Sequence, residues 1–189
     1  MILVVGLGNP GKKYEKTRHN AGFLAIDELS KKENFPDWKK SQNIDCLFTR
    51  KDLASKNTEL IKPSVFMNNS GKVVKSVLKK HNLKPEDILI IHDDIDIPLG
   101  KIRIVQNRGS AGHKGVESII KELKTKGFIR LRIGVQSKSG KSKNPEKFVL
   151  ENFNREEEKI IKEVIKKAAK AVEILINDSL EKAMSQYNE

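Results

Sequence analysis

The sequence predicts a single α/β domain over residues 1–189. Its expected core is a twisted, mixed and mostly parallel sheet flanked by helices, with a long C-terminal helix. Three observations support this fold class. Strand-like apolar runs alternate with amphipathic helical stretches along the chain. A chain of 189 residues is long enough for one sizeable core and does not require two. Hydrophobic residues make up 37% and charged residues 33%, which is typical of a globular domain.

The first half of the chain predicts three strands and two helices. A buried strand covers residues 2–7, and weaker strand candidates lie at residues 43–48 and 60–61. The helices cover residues 22–32 and 71–81, because apolar side chains recur there on one side at helical spacing.

The second half predicts three more strands and two more helices. Strands cover residues 87–91, 101–105 and 128–135, and the first of these is rich in β-branched residues. A helix over residues 113–124 carries apolar side chains at i, i+3, i+4 and i+7, and a longer helix covers residues 154–176. The predicted inward-facing residues of the longer helix are Ile161, Val164, Ile165, Ala168 and Val172.

The net charge of +12 restricts the class of partner. Residues 1–137 hold 26 basic and 15 acidic side chains and so carry almost all of the excess. Two stripes, residues 97–116 and 123–145, contain four and seven basic side chains and no acidic one. Such stripes attract polyanions such as nucleic acids. The alternative is a lysine-rich surface with no particular ligand.

Membrane association and secretion are not expected. The longest apolar runs have the length of a strand, and residues 1–6 lack the basic flank and cleavage site of a signal peptide. Cys46 is the one cysteine, which excludes an internal disulfide framework and suits a reducing compartment. We therefore expect a cytoplasmic protein.

Polar side chains follow three of the apolar segments. Asn9 follows the first strand, Asn68 follows an apolar run at residues 65–67, and Asp93 and Asp94 follow the strand at 87–91. In open α/β sheets, ligands bind outside the carboxyl ends of the strands. We therefore expect these side chains to converge on one site.

His19 is the candidate general base. Histidine titrates closest to neutrality of all side chains, so it is suited to activating water, and an aspartate from residues 93–96 would fix its tautomer. The alternative is that His19 packs at a helix start, for which Thr17 or Asn20 supplies the cap. Consecutive aspartates point in different directions, so no metal site is expected. No GxSxG motif is present, which favours direct attack by water over a covalent intermediate.

Three further segments have competing interpretations. Residues 6–11 match the pattern GxGxxG, but Pro-Gly forms a turn where a dinucleotide fold would begin a helix, so a nucleotide cofactor is not expected. The glycine-rich basic loop at residues 108–115 enters a helix and is either a phosphate seat or a flexible turn. Asn68 could donate to a developing oxyanion, whereas Asn69 or Ser70 could simply cap the helix that follows.

Seven short segments, together with Tyr14, occur in a fixed order. They are Val-Gly-Leu-Gly-Asn-Pro-Gly at 5–11, Thr-Arg-His-Asn-Ala-Gly at 17–22, Phe-Met-Asn at 66–68, Ser-Gly at 70–71, His-Asp-Asp-Ile-Asp-Ile-Pro-Leu-Gly at 92–100, Gly-His-Lys-Gly at 112–115 and Arg-Leu-Arg-Ile-Gly at 130–134. In residues and spacing they resemble the bacterial peptidyl-tRNA hydrolase family, from the first strand through the C-terminal helices.

The resemblance implies hydrolysis of the ester that joins a peptide to the 3′ ribose of tRNA, which recycles tRNA from prematurely released chains. It implies that His19 is the catalytic base and Asp93 its orienting partner. Asn9 and Asn68 match amides that position substrate or water and stabilise the oxyanion. No cofactor is implied.

The resemblance also implies a substrate surface. The expected substrate contacts are Tyr14, Phe66, Met67, Asn68, His113 and Lys114, with Met67 as a wall against the peptide. The expected contacts to acceptor-stem phosphates and the 3′ end are Arg103, Arg108, Lys114 and Arg132. Phosphate contacts position a nucleic acid without identifying its bases, which suits an enzyme that accepts many tRNAs. Peptidyl-tRNA is the one partner implied, with no obligate protein partner and a monomer as the default.

Lys114 departs from the family pattern, which commonly has asparagine at that position. A lysine cannot fill the amide's role in positioning peptide and water, but it could stabilise an oxyanion or hold a phosphate. The main alternative is therefore a catalytically silent RNA-binding relative, like the plant organellar intron splicing factor that resembles this family. Weaker alternatives are an esterase or amidase for small substrates and a nucleotide-dependent oxidoreductase.

Overall fold

The computed structural model describes residues 1–188, which form one seven-stranded sheet with helices on both faces. The strands are β1 (Ile2–Gly6), β2 (Lys39–Lys40), β3 (Cys46–Leu53), β4 (Lys56–Pro63), β5 (Ile88–Pro98), β6 (Ile102–Gln106) and β7 (Ile129–Gln136). The helices are α1 (Ala21–Lys32), α2 (Ser70–His81), α3 (Lys114–Leu123), α4 (Pro145–Val149), α5 (Arg155–Asn177) and α6 (Leu180–Tyr187). Short 3₁₀ turns cover Lys12–Tyr14, Arg18–Asn20, Met67–Asn69 and Pro85–Asp87.

The strand order across the sheet is β2-β3-β4-β1-β5-β7-β6. The central pairs β4–β1, β1–β5 and β5–β7 are parallel, and the outer pairs β2–β3, β3–β4 and β7–β6 are antiparallel. The predicted mixed α/β sheet is therefore confirmed, with its parallel strands in the centre. Because β1 and β5 are parallel neighbours, their carboxyl ends open at the same edge of the sheet.

The helices cover the sheet in two layers. α1 and α5 pack on one face, and α2 and α3 pack on the other. Alternate residues of β5 enter the two cores: Leu89 and Ile91 belong to the α1–α5 side, and Ile88 and Ile90 to the α2–α3 side. A strand covered on both faces must be apolar on both, which explains why β5 begins as an uninterrupted hydrophobic run.

The long C-terminal helix is confirmed as α5. Its start is fixed by a capping box, in which the Asn154 side chain accepts the N–H of Glu157 while the Glu157 carboxylate accepts the N–H of Asn154. The five residues predicted to face inward are all buried in the α1–α5 core. α6 follows after a short break and packs on α5.

Several elements differ from those predicted. β5 continues to Pro98, so Asp93 and Asp94 lie within the strand and not after it. They pair with Ile133 and Gly134 of β7. A Cβ at Gly134 would lie 2.2 Å from the Pro98 carbonyl oxygen, so only glycine allows this close approach. β2, α4 and α6 have no counterpart among the predicted elements, because 2, 5 and 8 residues are too few to show a periodic pattern.

No helix within the described part of the chain combines the length and the apolar character needed to cross a membrane.

Candidate active site

His19 lies on the 3₁₀ turn Arg18–Asn20, between the end of β1 and the start of α1. The backbone N–H of Arg18 donates to the Glu151 carbonyl at 3.1 Å, which ties the turn to the segment before α5. Only 8% of His19 is exposed. The turn therefore holds a mostly enclosed imidazole beside the carboxyl ends of β1 and β5.

Asp93 of β5 accepts hydrogen bonds from two histidines. Its Oδ1 and Oδ2 lie 2.9 and 3.0 Å from His19 Nδ1, and Oδ1 lies 2.9 Å from His113 Nε2. The carboxylate is 1% exposed. Burial raises the pKa of Asp93, but His19 and His113 lower it by more, so this pKa lies below its usual value of 3.8. Asp93 is therefore an anion that holds two imidazoles.

The hydrogen-bond network assigns the tautomers of both histidines. Because the Asp93 carboxylate can only accept, His19 Nδ1 and His113 Nε2 must each carry a proton. His113 Nδ1 accepts the N–H of Val116 at 3.3 Å, which agrees with that assignment and makes His113 the cap of α3. Nε2 of His19 is left with the lone pair. This is the nitrogen that can take a proton from water.

His92 lies behind this cluster and is fully buried. Its ring meets the His113 ring edge-on with centroids 4.6 Å apart, and its Nδ1–H donates to the Asp93 carbonyl at 2.6 Å. Burial, followed by the nearby His113, lowers the pKa of His92 well below 6.5. His92 is therefore a neutral support for His113, a role that the sequence pattern does not predict.

Asn20 holds Asn9 in place. The Asn9 N–H donates to Asn20 Oδ1 at 2.8 Å, and Asn20 Nδ2 donates to the Asn9 carbonyl at 3.0 Å. Asn9 Oδ1 accepts the N–H of Met67 at 2.9 Å, so its Nδ2 is the group left to donate to a substrate. Thr17, Asn20 and Asn69 occupy the N-cap positions of their helical segments, as the alternative interpretation expects, but none of their side chains makes a capping hydrogen bond.

The segment around Met67 contacts Asn9 and Gly115 but does not line the groove beside His19. Met67 is buried and packs so closely against Gly115 that a Cβ there would lie 2.5 Å from the Met67 sulfur. Asn68 is exposed, and Phe66 is 56% exposed, with its ring edge-on to the Tyr14 ring at 6.3 Å. The predicted substrate contacts in this segment are therefore available at the surface, apart from the largely enclosed Met67.

A groove of about 560 Å³ opens beside His19. Its lining residues come from five segments: His19, residues 93–95, residues 111–114, Lys141, and α4 with the residue after it. Val149 and Leu150 supply apolar surface, and Lys114, Lys141 and Glu146 supply charge. The groove therefore brings the imidazole, an apolar wall and cationic groups to one cavity.

Lys114 lines this groove but is paired across it. Its ammonium lies 2.8 Å from a carboxylate oxygen of Glu146 on α4, and these side chains are 55% and 75% exposed. A second ion pair joins Lys141 to Asp96 at 2.6 Å. Exposed pairs of this kind are weak because water and salt screen them, so an incoming anion can compete for either lysine.

The predicted phosphate-binding arginines differ in their surroundings. Arg103 and Arg108 are exposed. Arg132 is partly buried, and its Nε donates to Asp94 at 2.6 Å. Arg130, which the sequence does not single out, is buried and donates to a carbonyl of the glycine-rich loop at 2.7 Å. Burial, and then the neighbouring Arg132, lower the pKa of Arg130 to about 10. Arg130 thus holds the loop that leads to His113.

His19, Asp93 and His113 also form a set of side chains that could ligate a metal ion. One ligand atom from each of His19, Asp93 and His113 lies within 4.8 Å of the others. Two imidazoles and a carboxylate are ligands that zinc and related ions accept. A metal ion would have to replace the protons that His19 and His113 direct at Asp93. These side chains therefore cannot keep their hydrogen bonds to Asp93 and bind a metal ion through the same atoms at the same time.

Known proteins resemble this chain over its full length. Residues 3–189 match the protein family described as Peptidyl-tRNA hydrolase. The chain is 45% identical to a peptidyl-tRNA hydrolase of Thermodesulfovibrio yellowstonii, with 100% of this chain and 99% of that protein covered. It is also 45% identical to one of Aquifex aeolicus, with 98% and 95% covered. The crystal structure of peptidyl-tRNA hydrolase from Acinetobacter baumannii matches with a TM-score of 0.90 at 33% identity, covering 98% and 93% of the two chains.

Proposed function

The chain belongs to the peptidyl-tRNA hydrolase family and is an esterase that separates a peptide from tRNA; on that premise, we propose that His19 is its general base. The observation that carries this proposal is the hydrogen bond from His19 Nδ1 to the buried Asp93 carboxylate. It fixes the tautomer whose Nε2 lone pair is free, at a residue that lines the groove.

In the proposed reaction, His19 Nε2 takes a proton from water as the water oxygen attacks the carbonyl carbon of the ester. Asp93 stabilises the imidazolium that forms. The tetrahedral intermediate then collapses, the ester C–O bond to the 3′ oxygen of the ribose breaks, and the His19 Nε2 proton passes to that oxygen. The products are the peptide carboxylic acid and tRNA with a free 3′ hydroxyl.

The amides of Asn9 and Asn68 are proposed to stabilise the oxyanion of that intermediate. Asn9 is suited to this role because its Oδ1 is bound by Met67, so its Nδ2 is the donor that remains. A fixed donor needs no reorganisation when charge develops, and loss of one such donor lowers kcat about 100- to 1,000-fold in other acyl-transfer enzymes. Tyr14, Phe66, Met67 and His113 would complete the substrate surface.

The tRNA is proposed to approach over the basic side chains Arg103, Arg108, Lys114 and Arg132. Arg103, Arg108 and Lys114 are exposed, and Lys114 also lines the groove. Neutralising phosphates releases counterions, so binding should weaken steeply as salt rises. We also propose that the protein works as a monomer without an obligate protein partner. We propose the cytoplasm as its location, because a single buried free cysteine suits a reducing compartment.

The test compares the protein with His19→Ala on a peptidyl-tRNA that carries an N-blocked aminoacyl group, with no added transition metal or cofactor. We expect release of free tRNA by the unchanged protein and near-complete loss in the variant. Binding of the tRNA should be retained, because His19 makes none of the proposed phosphate contacts. His81→Ala is the matched control, because His81 pairs with Glu59 and does not line the groove. This variant should keep full activity.

Two outcomes would contradict the proposal. Full activity in His19→Ala would mean that another group is the base. If neither protein cleaves the ester but both bind tRNA, the chain is a catalytically silent RNA-binding relative.

A further inference from the structure

Arg18, the residue before His19, is a buried arginine. It is 5% exposed, and its Nη2 donates to Glu157 Oε2 at 2.8 Å. The guanidinium carbon lies 4.4 Å from the centre of the Phe148 ring and 4.9 Å from that of Phe153. One side chain therefore contacts α4, the start of α5 and the segment between them.

Burial of the Arg18 guanidinium costs free energy that its contacts only partly offset, so stability alone does not explain it. Nε and Nη1 of Arg18 are buried with no hydrogen-bond partner among residues 1–188, and aromatic faces surround the guanidinium. Taking an ion pair out of water often loses as much free energy as the pairing returns, and apolar residues of the same volume are often as good. The position of Arg18 therefore suggests a role in geometry.

Arg18 fixes the turn that carries His19 to a rigid helix start. Its partner Glu157 also accepts the N–H of Asn154 at 2.9 Å, as part of the capping box of α5. The Arg18 backbone N–H is bound by the Glu151 carbonyl, and the preceding residue forms a β-bridge with Asn152. The backbone and side chain of Arg18 thus anchor the turn to residues 151–157 at separate points.

The same guanidinium also packs against α4, a helix whose other residues line the groove. Phe148 belongs to α4, and the neighbouring α4 residues Glu146 and Val149 line the groove together with His19. A change in how Arg18 packs on Phe148 would therefore move the α4 wall of the groove relative to the imidazole. Arg18 therefore contacts both the turn that carries His19 and the helix that supplies part of the groove.

We propose that Arg18 is a positioning residue that fixes the separation between His19 Nε2 and the α4 wall, and so the place of the ester carbonyl relative to the base. This inference rests on the proposed role of His19. A displacement of about 1 Å between reacting groups lowers a rate by about 100-fold. The effect should fall on kcat, because the proposed phosphate contacts do not involve Arg18.

The experiment measures kcat and KM for peptidyl-tRNA in Arg18→Lys and Arg18→Met. Lysine keeps the charge for Glu157 but loses the flat surface between the rings, so we expect kcat to fall about 10-fold. Methionine loses both, and we expect a fall of about 100-fold with a change in KM of less than about threefold. Arg50→Met is the matched control, because Arg50 pairs with Glu59 at 2.6 Å between β3 and β4.

The deciding measurement repeats Arg18→Met in a His19→Ala background. If Arg18 acts through His19, the second substitution leaves the residual rate of His19→Ala unchanged. An equal fall in both backgrounds, or a normal kcat in Arg18→Met, would overturn the inference. If Arg18→Met fails to fold, Arg18→Met/Glu157→Gln removes both buried charges and is tested in the same two backgrounds. Full activity in His19→Ala would instead refute the proposed function itself.

Discussion

Asp93→Asn tests the centre of the proposed mechanism with almost no change in shape. The carboxylate accepts hydrogen bonds from His19 Nδ1 and His113 Nε2 through three contacts of 2.9–3.0 Å. An asparagine offers one acceptor oxygen and one amide donor in their place. If the amide nitrogen faces His19, that histidine must present its Nδ1 lone pair and carry its proton on Nε2. The nitrogen needed as the base is then already protonated.

The size of the effect follows from two losses. The variant lacks the negative charge that stabilises an imidazolium, and it favours the wrong His19 tautomer. The equivalent change in a Ser-His-Asp triad lowers kcat by about 10,000-fold, which corresponds to about 5 kcal/mol of transition-state stabilisation. Here the carboxylate is as fully buried, so we expect kcat to fall about 1,000- to 10,000-fold. KM should change by less than about threefold, because Asp93 makes no proposed contact to phosphate.

Single-turnover cleavage of a labelled peptidyl-tRNA measures this loss, with circular dichroism to establish that Asp93→Asn is folded. Asp178→Asn is the control, since Asp178 forms an exposed ion pair with Lys182. If a folded Asp93→Asn keeps more than about a tenth of the original kcat, then the carboxylate neither sets the tautomer of His19 nor stabilises its cation.

Three further changes test other parts of the site. Burial lowers the pKa of His92, so the folded chain keeps it neutral while the unfolded chain gains a proton below pH 6.5. His92 should therefore contribute a loss of stability of about 1.4 kcal/mol per pH unit on acidification through this window. His92→Phe should remove this contribution, so the difference between urea titrations at pH 5 and 7 should shrink, and an unchanged difference would contradict the assignment. Asn20→Ala removes both hydrogen bonds that hold the Asn9 backbone, so the free energy of unfolding should fall by about 1–3 kcal/mol and kcat should fall. Unchanged urea unfolding curves would show that these two hydrogen bonds do not stabilise the fold. Glu146→Gln removes the counterion of Lys114, so tRNA should bind more tightly. The slope of the logarithm of the binding constant against the logarithm of the salt concentration should steepen by about 1. An unchanged slope would mean that Lys114 does not contact the phosphates.

The fold was predictable wherever apolar periodicity was strong. α1, α2, α3 and α5 lie within one or two residues of the predicted helices, because each buries one face in a core. The prediction ended β5 too early because its last half is polar. His92 and Asp94 are buried in the strand through partners on β7 and on other segments, and no local pattern reveals that.

The pairing of His19 with Asp93 was predicted, whereas the other contacts around these two residues were not. The fold brings His19 to Asp93 across 74 positions of sequence, and the Asn9 side chain to the Met67 backbone across 58. Asn20 carries the signal of a helix cap, since asparagine before an apolar run usually has that role, but its side chain binds Asn9 instead. The pairing of Arg18 with Glu157 spans 139 positions, and composition gives no indication of it.

The lysine at position 114 has a local counterion, which changes what its charge does to the groove. Where the related family commonly has a neutral amide, this chain has Lys114 with Glu146 at 2.8 Å, and the hydrogen bond from Lys114 lowers the pKa of Glu146, so the pair is ionised and neutral overall. The groove therefore gains little net charge from the lysine at this position. Both side chains are more than half exposed, so the pair is weak and separates when a stronger anion arrives. A phosphate near the 3′ end of tRNA is such an anion, and it would take Lys114 from Glu146 only while substrate occupies the groove.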